Sequence, residues 1–255
     1  MPEDHHNSIR AAVEARLLRA AWLARRIPRI VQGKDLLLTR QATPECHAIG
    51  KGYGTWYVVP TLLKGGDLAF CFGLGREISF ERALAEDHGM TVHAFDPTPH
   101  SLEWLAEQAL PASMIVHPLG IADIDGVLDF APPAVDGHVS MSAVRQTAER
   151  GADHCRLEVR TLPTLLRTLQ VGRELSLLKM DVEGSEYGVI QHMLAHDIRP
   201  VQLLIEFHHR FDEIGPAETR RATNTLRDLG YALVHVSPNG EEMTFVRTDK
   251  LHAAR

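Results

Sequence analysis

Short apolar runs alternate with stretches whose apolar residues recur at helical spacing along most of this chain. The runs Leu68–Phe72, Thr91–Phe95, Met114–His117, Leu175–Met180 and Val201–Phe207 read as buried strands. Between them Ile78–Asp87, Leu162–Leu169 and Gly184–Ala195 read as helices, with Thr161 opening the second. Thr98 followed by Pro99 predicts a capped helix through Leu110. Pro216–Leu229 is a further helix, closed by Gly230. The strands Tyr231–Val236 and Met243–Arg247 flank Asn239-Gly240, a strong hairpin signal. Regular alternation ending in a hairpin predicts a doubly wound α/β domain, mostly parallel, with one antiparallel strand.

Before this domain, Ile9, Val13, Leu17 and Ala20 lie on one face of a predicted helix, Ile9–Ile27, that Pro28 ends. Its arginines make it a basic amphipathic helix, suited to the domain's own surface, a second subunit or an anionic membrane. The expected organisation is an N-terminal helical extension, 1–48, and one domain, 49–255. The stretch Asp123–Leu157 lacks periodicity; with Asp136, Gly137, His138, Ser140 and Ser142 it reads as a lid or substrate loop.

Composition narrows the classes. The 255 residues carry a net charge of −6, which excludes a whole-surface nucleic-acid footprint. Three separated cysteines, Cys46, Cys71 and Cys155, without a CxxC pair, argue against a disulfide scaffold and fit a reducing cytoplasm. No apolar stretch is long enough to span a membrane, and Glu14, Arg16 and Arg19 interrupt any signal-peptide core.

Candidate chemistry gathers where strands end. In LLKMDVEGSE the acids Asp181, Glu183 and Glu186 surround Gly184, at the carboxyl end of a predicted strand where open α/β sheets bind ligands. Glu186 lies a turn into the following helix and is expected to face solvent. In CFGLGREISFE, Gly73 and Gly75 let a ligand approach the backbone, while Ile78 stands where a dinucleotide fingerprint has its third glycine. Asp96 ends the next strand, 23 residues after Gly73, well placed for ribose hydroxyls.

The segments GYGTWYVVP, CFGLGREISFE, HAFDPTP, LLKMDVEGSE and IEFHHRF, in this order, resemble the FkbM family of S-adenosylmethionine-dependent methyltransferases. The resemblance runs from about Tyr53 to Val246 and implies a class I methyltransferase (Rossmann-like) fold. It also implies methyl transfer to oxygen, on hydroxyls of sugars, glycans or natural products. Carried over by position, Gly73, Gly75 and Asp96 bind the cofactor, with Ile78, Ser79, Pro97 and Asp181 beside them and Tyr53 to Trp56 closing over it. Arg76 stands where the family pattern has a small or acidic residue.

A hydroxyl attacks a sulfonium methyl only as its proton leaves, so a base or a metal is expected at the acceptor. The candidates follow two neighbouring strands: Asp181 and Glu183, then Glu206, His208 and His209. In one assignment His208 or His209 is the base, with Asp181 or Glu183 orienting the acceptor. In the other, Asp181, Glu206 and a histidine hold Mg²⁺ or another divalent ion. Two further readings stand beside methyl transfer. One is an NAD(P)-dependent oxidoreductase, which Ile78 opposes. The other is a non-catalytic Rossmann-like protein attached to a membrane or partner by its basic helix. A homodimer through that helix is also open.

Overall fold

The computed structural model describes residues 20–131, 141–142, 155–172 and 174–253. The predicted helix residues before position 20 and the loop residues Asp136, Gly137, His138 and Ser140 lie outside these. The first described element is helix α1, 20–31. It runs past Pro28, where the sequence predicts its end. A proline removes one N–H and is tolerated when the neighbouring turns still pair. Gln32 N donates to Pro28 O at 3.1 Å. The actual stop is Gly33, left-handed at φ 72, with Gly33 N donating to Ile30 O and Lys34 N to Arg29 O.

A short antiparallel pair follows, β1 (His47–Ile49) and β2 (Trp56–Val58). The alternating unit then begins with β3 (Leu68–Phe72), α2 (Ser79–Glu86), β4 (Thr91–Phe95), α3 (Pro99–Ala106) and β5 (Met114–His117). Next come β6 (Gly120–Ile121), β7 (Gly126–Phe130), β8 (Cys155–Arg160), α4 (Leu162–Thr168), β9 (Leu177–Met180) and α5 (Glu186–Ala195). The chain ends with β10 (Gln202–Glu206), α6 (Pro216–Asp228), the hairpin β11 (Tyr231–Val236) and β12 (Glu242–Arg247), and α7 (Thr248–Ala253).

Seven strands form the central sheet in the order β11-β12-β10-β9-β3-β4-β5. The pairs from β10 to β5 are parallel, and β12 is antiparallel to both its neighbours. This is the mostly parallel, doubly wound sheet with one antiparallel hairpin strand that the pattern predicts. Helices cover both faces. Leu165, Ile190 and Leu226 of α4, α5 and α6 pack on one side, and Phe80, Leu84 and Leu105 of α2 and α3 on the other. The chain winds outward from β3 to β5, then returns to β9 on the other side of β3. The crevice at the carboxyl ends of β3 and β9 is therefore the topological switch point.

Several boundaries and one cap differ from the sequence reading. Helix α3 stops at Ala106, because Glu107 N and Gln108 N bond three residues back and Pro111 disfavours helix at Leu110. Thr98 makes no side-chain cap; its hydroxyl donates to Asp96 instead. Helix α5 begins at Glu186, not Gly184, because Glu183 (φ 50) and Gly184 (φ 106) are not helical. The predicted irregular stretch also contains structure: β7 and β8 pair antiparallel, and β6 joins β8, over a small core of Ala122, Phe130, Leu157 and Val159.

One buried carboxylate ties the segment after α1 to the domain. Asp35 accepts from Arg26 Nη2 at 3.0 Å, Arg210 Nη2 at 2.9 Å and Leu36 N at 2.6 Å, and its Oδ1 lies 3.1 Å from His209 Nε2. Burial works to raise its pKa, but the Arg26 and Leu36 hydrogen bonds and the Arg210 charge outweigh it and hold the group well below the usual carboxylate range. Among the described residues no helix is long and apolar enough to cross a membrane.

Candidate active site

At the end of β3 the chain turns through Gly73, left-handed at φ 76. A Cβ there would sit 1.8 Å from Asp181 O, so only glycine lets the ends of β3 and β9 approach this closely. Gly73 N donates to Phe95 O at 3.0 Å, and Asp181 N to Phe72 O at 3.1 Å, which joins three strand ends. Asp96 fixes the rest of the turn. Its Oδ2 accepts from Leu74 N and Gly75 N, both at 3.0 Å, and its Oδ1 from Thr98 N at 2.9 Å and Thr98 Oγ1 at 2.6 Å.

Beneath the turn lies a charge that the sequence reading did not single out. Lys179, central in β9 and 4% exposed, donates to Gly73 O at 2.7 Å and to Glu81 Oε1 at 3.0 Å. Its ammonium also lies 5.4 Å from the centre of the Trp56 ring. Burial favours the neutral amine, but Glu81 and Asp181 outweigh it and raise the Lys179 pKa. The available signal was a lysine inside the apolar run LLKM, which demands a buried partner.

Over this floor opens a cavity of about 610 Å³, a size usual for small-molecule sites. Gly73, Gly75, Asp96 and Pro97 line one side, and Asp181, Glu183 and Glu206 the other. Tyr53 and Trp56 also line it, Trp56 buried and Tyr53 exposed. Ile78 and Ser79 are not brought to the wall. Ile78 packs into the core around α2, and Ser79 Oγ accepts from Lys51 N at 2.7 Å. They support the turn from behind.

On the acid side the structure corrects two expectations. Glu186 does not face solvent: it is fully buried, and its carboxylate accepts from Gly184 N at 2.9 Å and His208 N at 2.8 Å. His208 Nδ1 lies 3.3 Å from the same carboxylate. His209 is not near the acceptor side as a base; it is buried in the Asp35 cluster. His208 remains, with Nε2 at 3.4 Å from Glu183 Oε2 and 3.8 Å from Asp181 Oδ1. Among the described residues, Asp181, Glu206 and His208 form the one group able to hold a metal ion.

The electrostatics follow from this crowding. Burial pushes Asp181 up to about 6, with His208 pulling it down and Glu183 pushing it further up. Burial, and then Asp181, raise Glu206 well above the carboxylate range. For His208, burial is outweighed by Glu186 and Glu183, and its pKa rises well above the ordinary imidazole value. The surrounding carboxylates therefore favour the protonated form of His208. In that form it balances the acids, and the carboxylates beside it are groups that can accept a proton.

Residues 71–233 match the Methyltransferase FkbM domain. No curated protein sequence matches the chain. Among solved structures, the chain is similar to a mutant of MtNAS at 11% identity and TM-score 0.35, over 73% of this chain and 54% of that one. It is similar to Aeropyrum pernix fibrillarin in complex with natively bound S-adenosyl-L-methionine at 12% identity and TM-score 0.40, over 80% and 83%. A 16S rRNA (adenine(1408)-N(1))-methyltransferase mutant with its cosubstrate, from Catenulisporales acidiphilia, gives 13% identity and TM-score 0.34, over 81% and 98%. At these scores the structural likenesses decide nothing about what this chain acts on.

Proposed function

Because this chain belongs to the FkbM methyltransferase family, which takes its methyl group from S-adenosylmethionine, we propose that it methylates the oxygen of a hydroxyl acceptor. The acceptor class is a sugar, a glycan or a natural product. One observation carries this reading: Asp181, Glu183 and Glu206 line the cavity opposite the glycine turn.

S-adenosylmethionine, when bound, supplies an electrophilic methyl on a sulfonium sulfur. The chain's own groups suit such a molecule. Gly73 and Gly75 present bare backbone to the cavity, and Trp56 and Tyr53 give it aromatic surface. Asp96 lines the same wall at the end of β4, where ribose hydroxyls are held in sheets of this type. Its four hydrogen bonds to the turn and to Thr98 make it equally the anchor of the cofactor loop. Asp181 and Glu183 present negative charge to a sulfonium and oxygen acceptors to a hydroxyl proton. The match with the methyltransferase domain sets aside the NAD(P)-dependent oxidoreductase.

Calorimetry with S-adenosylmethionine and with NAD tests the cofactor, and transfer of labelled methyl to a panel of sugars and polyols tests the acceptor. We expect S-adenosylmethionine alone to bind and label to appear as a methyl ether. Methylation confined to nitrogen or carbon acceptors would overturn the oxygen assignment.

A further inference from the structure

One carboxylate oxygen of Asp181, one of Glu206 and one ring nitrogen of His208 lie within 4.8 Å of one another. They project from the ends of β9 and β10, which are adjacent and parallel. Hydrogen bonding does not account for this focus. The Glu206 carboxylate has no hydrogen bond or ion pair among the described residues. Its neighbour across the antiparallel register is Glu242, another carboxylate on the cavity wall, and like charges placed opposite each other destabilise a sheet.

A second observation is independent of the acids. The His208 side chain is 7% exposed, and its Nε2 makes no hydrogen bond; the nearest recorded oxygens are at 3.4 and 3.8 Å. Its other nitrogen, Nδ1, faces Glu186 Oε1 at 3.3 Å, and the same oxygen accepts from His208 N at 2.8 Å. Glu186 thereby places a proton on Nδ1 and turns Nε2 toward Asp181 and Glu206. A carboxylate behind the far nitrogen is the arrangement that orients metal-binding histidines.

We propose that Asp181, Glu206 and His208 bind one divalent cation of the Mg²⁺ or Mn²⁺ class. Two carboxylates with one imidazole suit an oxygen-preferring ion that also accepts nitrogen. The ion faces the cavity, so its remaining positions are open to the acceptor hydroxyl. Its use in catalysis rests on the methyl-transfer reading; the site itself rests on the side chains alone. Coordination acidifies the hydroxyl. The proton passes to Glu183, which the ion leaves free, and an oxygen lone pair forms the new bond to carbon. The carbon–sulfur bond breaks with its electron pair remaining on sulfur.

The test uses the full chain, stripped with a chelator and titrated with Mn²⁺ under electron paramagnetic resonance. We expect one Mn²⁺ per chain, with spin-echo modulation from an imidazole nitrogen in the wild-type protein, a measurement that needs no variant. Glu206→Gln and His208→Gln should each weaken Mn²⁺ binding by about tenfold or more. Absence of binding in the millimolar range, or bound Mn²⁺ without the imidazole signal, would overturn the site. Calorimetry with S-adenosylmethionine on the same stripped sample separates the two ideas. If the cofactor binds and Mn²⁺ does not, the ion site is wrong and methyl transfer stands; the reverse result condemns methyl transfer and keeps the ion.

Discussion

Lys179 and Asp96 grip one peptide from opposite ends. The carbonyl of Gly73 accepts from Lys179 Nζ at 2.7 Å, and the N–H of Leu74, in the same peptide unit, donates to Asp96 Oδ2 at 3.0 Å. Two buried charges of opposite sign thus set the tilt of the peptide plane that lines the proposed cofactor cavity. Lys179→Met removes one grip and leaves Glu81 as a buried charge without its cation. Breaking such a pair costs about 3–5 kcal/mol. Adding Glu81→Leu should restore much of the stability without restoring cofactor affinity. Equal thermal melts for the single and double variants would refute the pairing, and unchanged calorimetric affinity in both would refute the grip.

Gly73→Ala should be more damaging than its size suggests. The added methyl meets the Asp181 carbonyl, and the backbone there is left-handed at φ 76. Strain of this kind costs about 1–3 kcal/mol before any steric shift is counted. We expect a lower melting temperature and lost cofactor binding. A variant that binds normally would show that the approach of β3 to β9 is not required.

Glu186 holds both the His208 N–H and the Gly184 N–H beside Glu183, so its variants should separate charge from folding. Glu186→Ala leaves the His208 and Gly184 N–H groups unpaired, a loss of about 1–3 kcal/mol for each. Glu186→Gln keeps an acceptor oxygen for one of these two N–H groups and removes the charge. We expect Glu186→Gln to melt closer to the native protein than Glu186→Ala does, with reduced kcat and little change in KM for the methyl donor. A fall in KM-dependent rate alone would argue against orientation of His208.

The His93–His117 pair, Nδ1 to Nε2 at 2.9 Å, should make stability depend on pH. Burial lowers the pKa of both, and for His117 the His93 charge adds to it. The unfolded chain therefore binds protons here more readily than the folded one. The contribution is complete above about pH 6.5, the unperturbed value, and is lost as pH falls below it. His117→Gln should flatten the fall in melting temperature between about pH 7 and 5. An unchanged slope would assign the effect elsewhere.

Most of the sheet was legible because its strands are continuous apolar runs and its helices carry clear stops. The small sheet was not, because β8 alternates Arg156, Glu158 and Arg160 with apolar residues and lies far along the chain from β7. That Asp181, Glu183 and Glu206 would come together was legible from their places at strand ends, and they line one cavity. Glu186 was misread because a helical position one turn in says nothing about what packs over it; here the loop after β10 covers it. Lys179 and Glu81 pair across 98 positions of sequence, a relation no local pattern carries.

Asp35 also constrains the order of events during folding. Its partners His209 and Arg210 lie 174 and 175 positions away, so this cluster closes one of the longest loops in the chain. Closure entropy grows with loop length, at about 0.6 kcal/mol for each doubling, and is recovered only when the ends meet on a surface already formed. The end of β10 must therefore be in place before Asp35 can gain His209 and Arg210. The segment around Asp35 then docks late, and until then Asp35 has only its local partners, Arg26 and the Leu36 N–H.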